Sequence, residues 1–396
     1  MELGIIGKPS GGKSTVFAAA TLINVEIAAY PFTTIKPNRG TSFVRTKCPH
    51  KEIGHDCQPV NSQCIKGERF SPITLIDVAG LVPDAHKGKG LGNQFLNDLI
   101  QANALIHVVD ASGSTDSEGK AVEKGSHDPI EDVRFLEKEI DFWIEGILKN
   151  NWAKISKKSA AEPNQAKALH EQLSGLNISE EEIMHVLKEL KFESKLVQWN
   201  EEQIFSFSQS IRKKSKPIVI AANKIDVDVS EKNFERMKKE FPESRIIPCS
   251  SESELALRKA AKAGLIEYLP GDKDFKIIQE LPEKQLHALE FIKEHVLEKF
   301  GSTGVQEALN QTVFNQLNFI VVYPVGDEKK WASAKGNVLP DTFLIPQNSN
   351  ALQLAGKIHT DFVPRFLGAI DGRTKQRIGK EHTLKNNDVV RILLKN

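Results

Sequence analysis

The sequence predicts an α/β protein: a parallel sheet that carries a glycine-rich loop, a helical domain inserted into it, and a smaller α+β module after it. Three observations support this fold class. Residues 3–6 form a short apolar run that leads into a glycine-rich loop and then a helix-compatible stretch. Apolar runs of strand type recur at 72–76, 104–109 and 217–222, and the block between the last two has helical periodicity. From residue 319 onward the pattern changes to short apolar runs.

The composition is that of a globular protein without a strong overall field. Hydrophobic residues make up 40% of the chain, charged residues 27%, and the formal net charge is +1, so global charge recruits neither nucleic acid nor membrane. Four cysteines in 396 residues do not make a disulfide framework. We find neither a signal peptide nor a run of ~20 apolar residues. We therefore expect a cytoplasmic protein that does not bind membranes.

The glycine-rich loop predicts a phosphate site. Residues 7–14 read GKPSGGKS and fit G-x-x-x-x-G-K-[ST] at every defined position, between a strand and a helix. Glycines let backbone N–H groups converge on an anion, and the helix N-terminus favours its charge. Lys13 is predicted to reach the β- and γ-phosphates, and Ser14 to ligate Mg²⁺. The residues predicted to hold the nucleotide here are Gly7, Ser10, Gly11, Gly12, Lys13, Ser14 and Thr15.

Two later segments are typical of a nucleotide-sensing switch. Residues 28–40 form a Pro- and Thr-rich loop, where a hydroxyl would meet Mg²⁺ and the γ-phosphate. Asp77 follows an apolar run and is predicted to contact Mg²⁺ through water. Gly80 would bring a backbone N–H to the γ-phosphate. The glycine-rich loop after it, at 81–93, is expected to respond to nucleotide state.

The motif N-K-x-D at 223–226 predicts that the base is guanine. It follows the apolar run 217–222, at a strand end. The Asp226 carboxylate can accept hydrogen bonds from guanine N1–H and the N2 amine, and adenine has neither donor. Backbone N–H groups of Ser250 and Ser251 are predicted to meet the guanine carbonyl. GTP and GDP are therefore the expected ligands.

The block from 126 to about 212 is predicted to be an inserted helical domain. Asp128 and Pro129 form a helix start, and apolar residues follow at helical spacing. Ser179 begins a capping box, and Asn200 is expected to cap a further helix. After this domain, helices are predicted at 282–300 and 304–316, strands at 319–325, 338–345 and 389–394, and one helix at 351–362.

The motifs in this order are specific to GTPases of the translation-factor class. The stretches YPFTT at 30–34 and KGKGLGNQFL at 87–96 resemble the Obg/YchF GTPases, and the YchF-like subgroup in particular. LPDTFLIPQNS at 339–349 and AIDGRTKQRIG at 369–379 are similar to the TGS module of that subgroup. The resemblance implies a Ras-like P-loop GTPase domain with a helical insert and a C-terminal TGS module of β-grasp fold. The implied limits are 1–125 and 213–300 for the GTPase domain with a hairpin at 47–70, 126–212 for the insert, 301–318 for a connector and 319–396 for TGS.

The resemblance also assigns roles to single residues. Thr34, rather than Thr33, would be the switch threonine that ligates Mg²⁺ with Ser14 and Asp77. Asn223, Lys224 and Asp226 would take the base. Bacterial and eukaryotic YchF proteins typically alter the base motif and accept ATP, whereas this chain keeps Asp226, which favours GTP. Some relatives hold a potassium ion with a loop asparagine; the matching residue here is Ser10, which argues against a K⁺ requirement.

The residue that positions the attacking water is not identified by the motifs. Leu81 occupies the place of the glutamine that orients water in Ras-like GTPases, and leucine cannot do so. His107 is one candidate, with a core histidine whose hydrogen bonds are satisfied within the protein as the alternative. His86 is another, with an exposed loop residue as the alternative. The residues predicted to act in hydrolysis, which we expect to be slow without a partner, are Lys13, Thr34, Gly80 and His107.

Three of the four cysteines lie within 48–64, together with two histidines. They could form a zinc site of Cys₃His type, although no C-x₂-C pair is present. A hairpin of reduced thiols and a redox-formed disulfide are the alternatives. The residues concerned are Cys48, His50, His55, Cys57 and Cys64.

The partner is predicted to be the ribosome or RNA. TGS modules occur in proteins that act on RNA, and YchF relatives associate with ribosomes. Basic clusters at 157–158, 212–216 and 373–377 could face RNA or simply solvent. The competing functions are an adaptor that senses nucleotide and binds a protein, with incidental hydrolysis, and an ATPase like other YchF relatives. The sequence does not indicate an oligomeric state.

Overall fold

The computed structural model describes residues 1–22, 38–81, 99–161, 164–192 and 195–395. It divides into two compact units. The parallel-sheet unit comprises Glu2–Gly40 and Thr74–Ala308. The mixed-sheet unit comprises Met1, Thr41–Ile73 and Leu309–Asn396. Each is described by itself below.

The strands range from two to ten residues in length. In chain order they are β1 (Glu2–Ile6), β2 (Asn38–Lys47), β3 (Gln63–Ile65), β4 (Glu68–Asp77), β5 (Ala104–Asp110), β6 (Ile218–Asn223), β7 (Arg245–Pro248), β8 (Ile266–Glu267), β9 (Lys276–Ile277), β10 (Phe319–Val325), β11 (Phe343–Pro346), β12 (Phe366–Asp371), β13 (Arg377–Ile378) and β14 (Val389–Leu394).

The helices lie mainly between the strands of the parallel sheet. In chain order they are α1 (Lys13–Thr21), α2 (Pro129–Ala161), α3 (Gln165–Leu173), α4 (Glu180–Leu190), α5 (Glu201–Ser215), α6 (Ser230–Glu240), α7 (Ser251–Lys262), α8 (Glu283–Ile292), α9 (Glu298–Phe300), α10 (Val305–Asn310), α11 (Ala351–Ile358) and α12 (Phe362–Arg365). π-Helical turns at Lys293–Leu297 and Gln311–Gln316 interrupt the two helices predicted at 282–300 and 304–316. No helix in the described ranges is long and apolar enough to cross a membrane.

The parallel-sheet unit is organised by strands in the order β4-β1-β5-β6-β7, in which all neighbours are parallel. Strand β5 is buried along its whole length, as its unbroken apolar run predicts. Register pairs Ile6 with His107 and Asp110 with Asn223. The carboxyl ends of these strands therefore meet at one edge, where a ligand site is expected in such sheets.

The helical insert forms as its sequence predicts. The Asp128 carboxylate accepts the Ile130 N–H at the start of α2, and capping boxes at Ser179 and Asn200 begin α4 and α5. Apolar faces of α2–α5 share one core. Trp199 lies within it, 5.8 Å from Trp152 between ring centroids.

The mixed-sheet unit has strands in the order β11-β10-β14-β12-β13. Strands β10 and β14 are parallel, and the other neighbours are antiparallel. The prediction of a single helix at 351–362 is wrong, because α11 ends at Ile358 and a short α12 follows. The strand predicted at 338–345 is shorter, and β12 and β13 were not predicted.

Residues 41–73 lie in the mixed-sheet unit, although the sequence places the hairpin 47–70 in the GTPase domain. Strand β3 pairs with β4 as an antiparallel hairpin. The loop before it follows residues 338–342: the Gln58 N–H donates to the Val338 carbonyl at 2.8 Å, and the Val60 N–H to that of Pro340 at 2.7 Å. The predicted domain limits otherwise stay predictions.

Candidate functional site

The glycine-rich loop leaves β1 at the carboxyl edge of the sheet and leads directly into α1. Gly7 and Gly12 have φ of 147° and 99°, where a side chain would be strained. A Cβ on Gly12 would also overlap the Asn223 side-chain amide. The loop therefore depends on glycine at the positions that its motif defines.

Lys13 is the first residue of α1 and is 7% exposed. Its Nζ donates to the Lys8 carbonyl at 2.8 Å. Burial lowers the pKa of Lys13 to about 8, against the opposing effect of Asp77. A buried ammonium without a bonded carboxylate in the described ranges favours an incoming anion.

Ser14 and Asp77 bring two oxygen ligands together beside Lys13. The Ser14 hydroxyl donates to Asp77 Oδ2 at 3.0 Å, and the carboxylate is fully buried. Burial raises the pKa of Asp77, although Lys13 and the Ser14 hydroxyl oppose this. Asp77 Oδ1 has no hydrogen-bond partner in the described part of the chain. A hydroxyl and a buried carboxylate oxygen fit a hard cation such as Mg²⁺.

Asn223 links the glycine-rich loop to the loop after β7. Its Nδ2 donates to the Gly11 carbonyl at 3.2 Å, and its Oδ1 accepts the Ser251 N–H at 3.1 Å. The Ser250 N–H donates to the Thr303 carbonyl at 2.9 Å. Both serine N–H groups predicted to meet guanine are thus used within the protein here, so such a contact would require these bonds to be shared or exchanged.

Lys224 and Asp226 follow β6 and have different surroundings. Lys224 Nζ forms an ion pair with Asp110 Oδ2 at 2.8 Å. Burial alone would raise the pKa of Asp110, but Lys224 and neighbouring hydroxyls lower it. Asp226 is half-buried, and its carboxylate has no partner among the described residues. It is free to accept hydrogen bonds from a ligand.

Leu81, which occupies the place of the water-orienting glutamine, and the candidate His107 are both buried. The Leu81 side chain is 1% exposed, and its N–H donates to the Gly7 carbonyl at 3.1 Å. His107 is also 1% exposed, and burial lowers its pKa to about 3, helped by Lys13 and Lys8. Its imidazole is therefore neutral at pH 7. Its catalytic role stays a prediction.

The remaining predicted residues differ in their surroundings. Thr34, with Thr33 and His86, lies outside the described residues. Gly80 has no room for a side chain because a Cβ would press on Pro9. Ser10 has φ of 58°, and its buried hydroxyl has no hydrogen-bond partner in the described ranges. The Thr15 hydroxyl instead donates to Glu252 at 3.4 Å.

The motifs did not reveal a buried ion pair behind the loop. Lys8 Nζ lies 2.8 Å from Asp132 Oδ2 and donates to the Thr115 carbonyl at 2.6 Å. His127 Nε2 lies 2.8 Å from Asp132 Oδ1. Lys8 lies at a position of the motif where any residue is allowed. Asp132 lies in the first turn of α2, where acidic residues are common. The only sequence feature that could have indicated this pair was Lys8 itself, a charged residue within a loop that is buried in the folded protein.

Four of the five predicted zinc ligands lie together. Cys48, His50, Cys57 and Cys64 form one group in the mixed-sheet unit. His55 is exposed and is not part of this group, so the structure does not support its prediction as a ligand.

Several basic residues proposed for RNA are used inside the protein. Arg212 bonds the Asp141 carboxylate at 2.6 Å and is buried. Lys216 donates to the carbonyls of Ile100 and Ala102. Arg373 forms two hydrogen bonds with Glu52, at 2.7 and 2.8 Å. These three cations therefore stabilise the fold.

Known proteins are similar to this chain in sequence and in architecture. The family described as "50S ribosome-binding GTPase" matches residues 2–138, "Obg-like GTPase YGR210-like, G4 motif-containing domain" matches 221–327, and "TGS domain" matches 319–394. An uncharacterized GTP-binding protein of Methanocaldococcus jannaschii is 49% identical over 393 residues, covering 99% of this chain and 98% of that protein. The ribosome-binding ATPase YchF of Bacillus subtilis is 26% identical and covers 98% of each. The crystal structure of a GTP-binding protein from Pyrococcus horikoshii has a TM-score of 0.81 at 40% identity and covers 100% of both chains.

The fold is that of a P-loop GTPase domain with a helical insert and a C-terminal TGS domain. The chain belongs to the Obg/YchF-like family of GTP-binding proteins. The resemblance noted in the sequence and the predicted fold class are thereby confirmed.

Proposed function

We propose that this protein hydrolyses GTP to GDP and phosphate with Mg²⁺ and acts as a nucleotide-dependent switch on the ribosome. The observation that carries the proposal is the hydrogen bond at 3.0 Å from the half-buried Ser14 hydroxyl to the buried Asp77 carboxylate, beside Lys13. Asp77 Oδ1 has no hydrogen-bond partner in the described ranges. The three side chains offer one positive charge to phosphate and two oxygens to a cation.

The phosphates would lie along the glycine-rich loop. Backbone N–H groups at the start of α1 and the Lys13 ammonium would bind them, and Ser14, Asp77 and Thr34 are the proposed Mg²⁺ ligands. Bound Mg²⁺ would neutralise the charge that develops on the β- and γ-oxygens. Leu81 is apolar and buried, so another group must position water. We expect an unaided rate of the order of 10⁻⁴ s⁻¹, as in GTPases that depend on a partner.

Guanine selection would depend on Asp226. Its carboxylate is unpaired in the described structure and lies three residues after Asn223, which itself bonds the phosphate loop through Gly11. This spacing supports a base site adjoining the phosphate site. An adenine there would leave the carboxylate without donors, which makes the discrimination strong.

The ribosomal role is supported by the description of the family that matches residues 2–138 and by the printed name of the Bacillus subtilis relative. That relative is named an ATPase, so ATP is the competing substrate. A protein-binding adaptor with incidental hydrolysis is the competing role. Each alternative predicts a different experimental result.

Nucleotide choice is tested by titrating the nucleotide-free protein with fluorescent GTP, GDP and ATP analogues in Mg²⁺. We expect guanine to be preferred at least tenfold, about 1.4 kcal/mol, and Asp226→Asn to lose this preference. Asp228→Asn changes an exposed carboxylate two residues away and should retain it. Equal or tighter ATP binding by the unmodified protein would reject the guanine assignment.

The switch is tested by measuring GTP turnover with and without ribosomes of a related organism, in K⁺ and in Na⁺. We expect ribosomes to stimulate turnover and to cosediment preferentially with one nucleotide state. K⁺ and Na⁺ should give equal rates. Nucleotide-dependent cosedimentation without stimulated turnover would support the adaptor, and turnover of ATP alone would support the ATPase.

A further inference from the structure

Three thiols and one imidazole lie close together in the segment from the end of β2 to β3. They belong to Cys48, His50, Cys57 and Cys64. Cys48 Sγ lies 3.8 Å from Cys57 Sγ, and His50 Nδ1 lies 3.4 Å from Cys57 Sγ and 3.5 Å from Cys64 Sγ. All four candidate ligand atoms lie within 4.8 Å of one another. These residues belong to the mixed-sheet unit, whereas the described residues of the nucleotide site belong to the parallel-sheet unit.

The distances match a single tetrahedral metal centre. Zinc binds sulfur at about 2.3 Å and imidazole nitrogen at about 2.0–2.1 Å. Tetrahedral angles then separate two sulfurs by about 3.8 Å and a sulfur from a nitrogen by about 3.6 Å. We propose that Cys48, His50, Cys57 and Cys64 bind one zinc ion as a structural site. Four protein ligands leave no open position for substrate.

The backbone holds the ligands in place independently of a metal. The Cys48 N–H donates to the Gly67 carbonyl at 2.8 Å, which fixes the end of β2 against the hairpin turn. A 3-10 turn at Pro49–Glu52 then reverses the chain and places His50 beside Cys48. Cys64 lies on β3, directly opposite Arg69 on β4.

Arg69 supplies the charge that such a site requires. Three thiolates, a neutral imidazole and Zn²⁺ carry a net charge of −1. The Arg69 side chain is fully buried, and no carboxylate in the described part of the chain pairs with it. It donates to the Leu339 carbonyl at 2.5 Å, and its Nε and Nη1 have no hydrogen-bond partners there. A buried guanidinium without an anion is costly, and an anionic zinc centre beside Cys64 would offset that cost.

The metal would fasten the hairpin to the C-terminal strands. Cys48 is 5% exposed and packs in one apolar cluster with Val321, Tyr323 and Leu339. The Asn61 side chain forms two hydrogen bonds with the Thr342 backbone, at 2.9 and 3.0 Å. Loss of the metal should therefore loosen residues 48–64 from the strands that they cover.

Metal content of the full-length protein, purified under reducing conditions and reconstituted with Zn²⁺, is the first test. We expect about one zinc per chain by mass spectrometry, and at least a tenfold lower content in Cys57→Ser and in His50→Ala. Two matched controls should retain zinc: His55→Ala, an exposed neighbour in the same loop, and Cys249→Ser, a buried cysteine of the other unit. Zinc near zero in the unmodified protein would overturn the proposal, as would its loss in His55→Ala.

Cobalt substitution gives a test that does not depend on variant folding. The Co²⁺ form of the unmodified protein should show the intense visible absorption of tetrahedral coordination and a sulfur-to-cobalt charge-transfer band. Octahedral Co²⁺ spectra would reject the site. A mass lower by two hydrogens in the metal-free protein isolated without reductant, restored by adding a reductant, would instead indicate a disulfide. Neither outcome depends on GTP hydrolysis, so this proposal and the proposed function can fail separately.

Discussion

The two sides of the phosphate-binding loop differ in how a buried lysine is neutralised. On the side of α2, Lys8 lies 2.8 Å from the Asp132 carboxylate and bonds the Thr115 carbonyl. On the side of β4, Lys13 bonds only the Lys8 carbonyl among the described residues, and burial lowers its pKa to about 8. The two lysines are five positions apart and almost equally buried.

This difference indicates that Lys8 stabilises the fold, whereas Lys13 is placed to bind a ligand. A buried ammonium that is paired with a carboxylate of the same chain needs no ligand to compensate its charge. Removing either partner leaves the other charge buried and uncompensated, which lowers the free energy of unfolding. A buried charge without such a partner is a place where an external anion gains most. We call the Lys8–Asp132 ion pair the rear of the loop and Lys13 its front. The rear is neutralised within the protein, whereas the front has no bonded carboxylate among the described residues.

The largest expected effect is on stability when the rear pair is broken. Lys8→Met leaves Asp132 buried with only His127, so we expect a loss of about 3–5 kcal/mol in the free energy of unfolding. Lys13→Met should cost far less, because it removes a desolvated ammonium. Urea unfolding of the full-length variants measures both. A loss below about 1 kcal/mol for Lys8→Met, or an equal loss for the two, would contradict the comparison.

The next effect is on affinity when the front lysine is removed. Lys13→Met should weaken GTP binding at least ~100-fold, since a buried charge contact with phosphate is worth about 2–5 kcal/mol. Lys216→Met is the matched control. Burial lowers the pKa of Lys216 to about 8 as well, but it bonds the carbonyls of Ile100 and Ala102. Unchanged GTP affinity in Lys13→Met would refute the phosphate role.

Sequence reasoning predicts the grouping of Lys13, Ser14 and Asp77 that the structure shows, but it misses the Lys8–Asp132 pair. Lys13, Ser14, Asp77 and Asp226 are fixed by local motifs, because each motif encodes a strand end or a loop that one segment forms alone. The Lys8–Asp132 pair joins an undefined loop position to a helix more than a hundred residues later. Only tertiary packing brings these two together.

The same distinction holds for the fold. The capping box at Ser179 and the helix cap at Asn200 are local and were predicted correctly, and the structure adds that Asn200 also forms a capping box. Strands β12 and β13 were missed, since their short, mixed sequences form strands only by pairing within the sheet. The Cys/His group has spacings typical of no standard zinc motif. Its convergence depends on a hairpin and a 3-10 turn that spacing alone does not reveal.

A smaller effect concerns the acid side of the stability profile. His107 lies behind the loop with its pKa lowered from 6.5 to about 3, so the folded state excludes a proton that the unfolded state binds. Stability is therefore complete above pH 6.5 and is lost as pH falls toward 3. Relative to His107→Leu, the unmodified protein should lose about 1.4 kcal/mol between pH 7.5 and 5.5.

Urea unfolding at both pH values measures this difference, and His287→Leu, an exposed histidine, should behave like the unmodified protein. A parallel change in both variants would show that His107 is not the group responsible. Hydrolysis by folded His107→Leu separates the two interpretations of this residue. A core histidine predicts an unchanged rate, whereas a water-positioning histidine predicts at least tenfold slower turnover.

The smallest expected effect is a proton taken up with the nucleotide. With a pKa of about 8, Lys13 is half-neutral at pH 8, and a phosphate beside it favours the ammonium form. GTP binding should therefore take up about half a proton at pH 8 and much less at pH 7. Calorimetry in buffers of different ionisation enthalpy measures this uptake. Lys216→Met should retain it, because that lysine titrates away from the phosphates. No uptake at either pH would mean that Lys13 is already fully charged before GTP binds, and would contradict the lowered pKa that distinguishes this lysine.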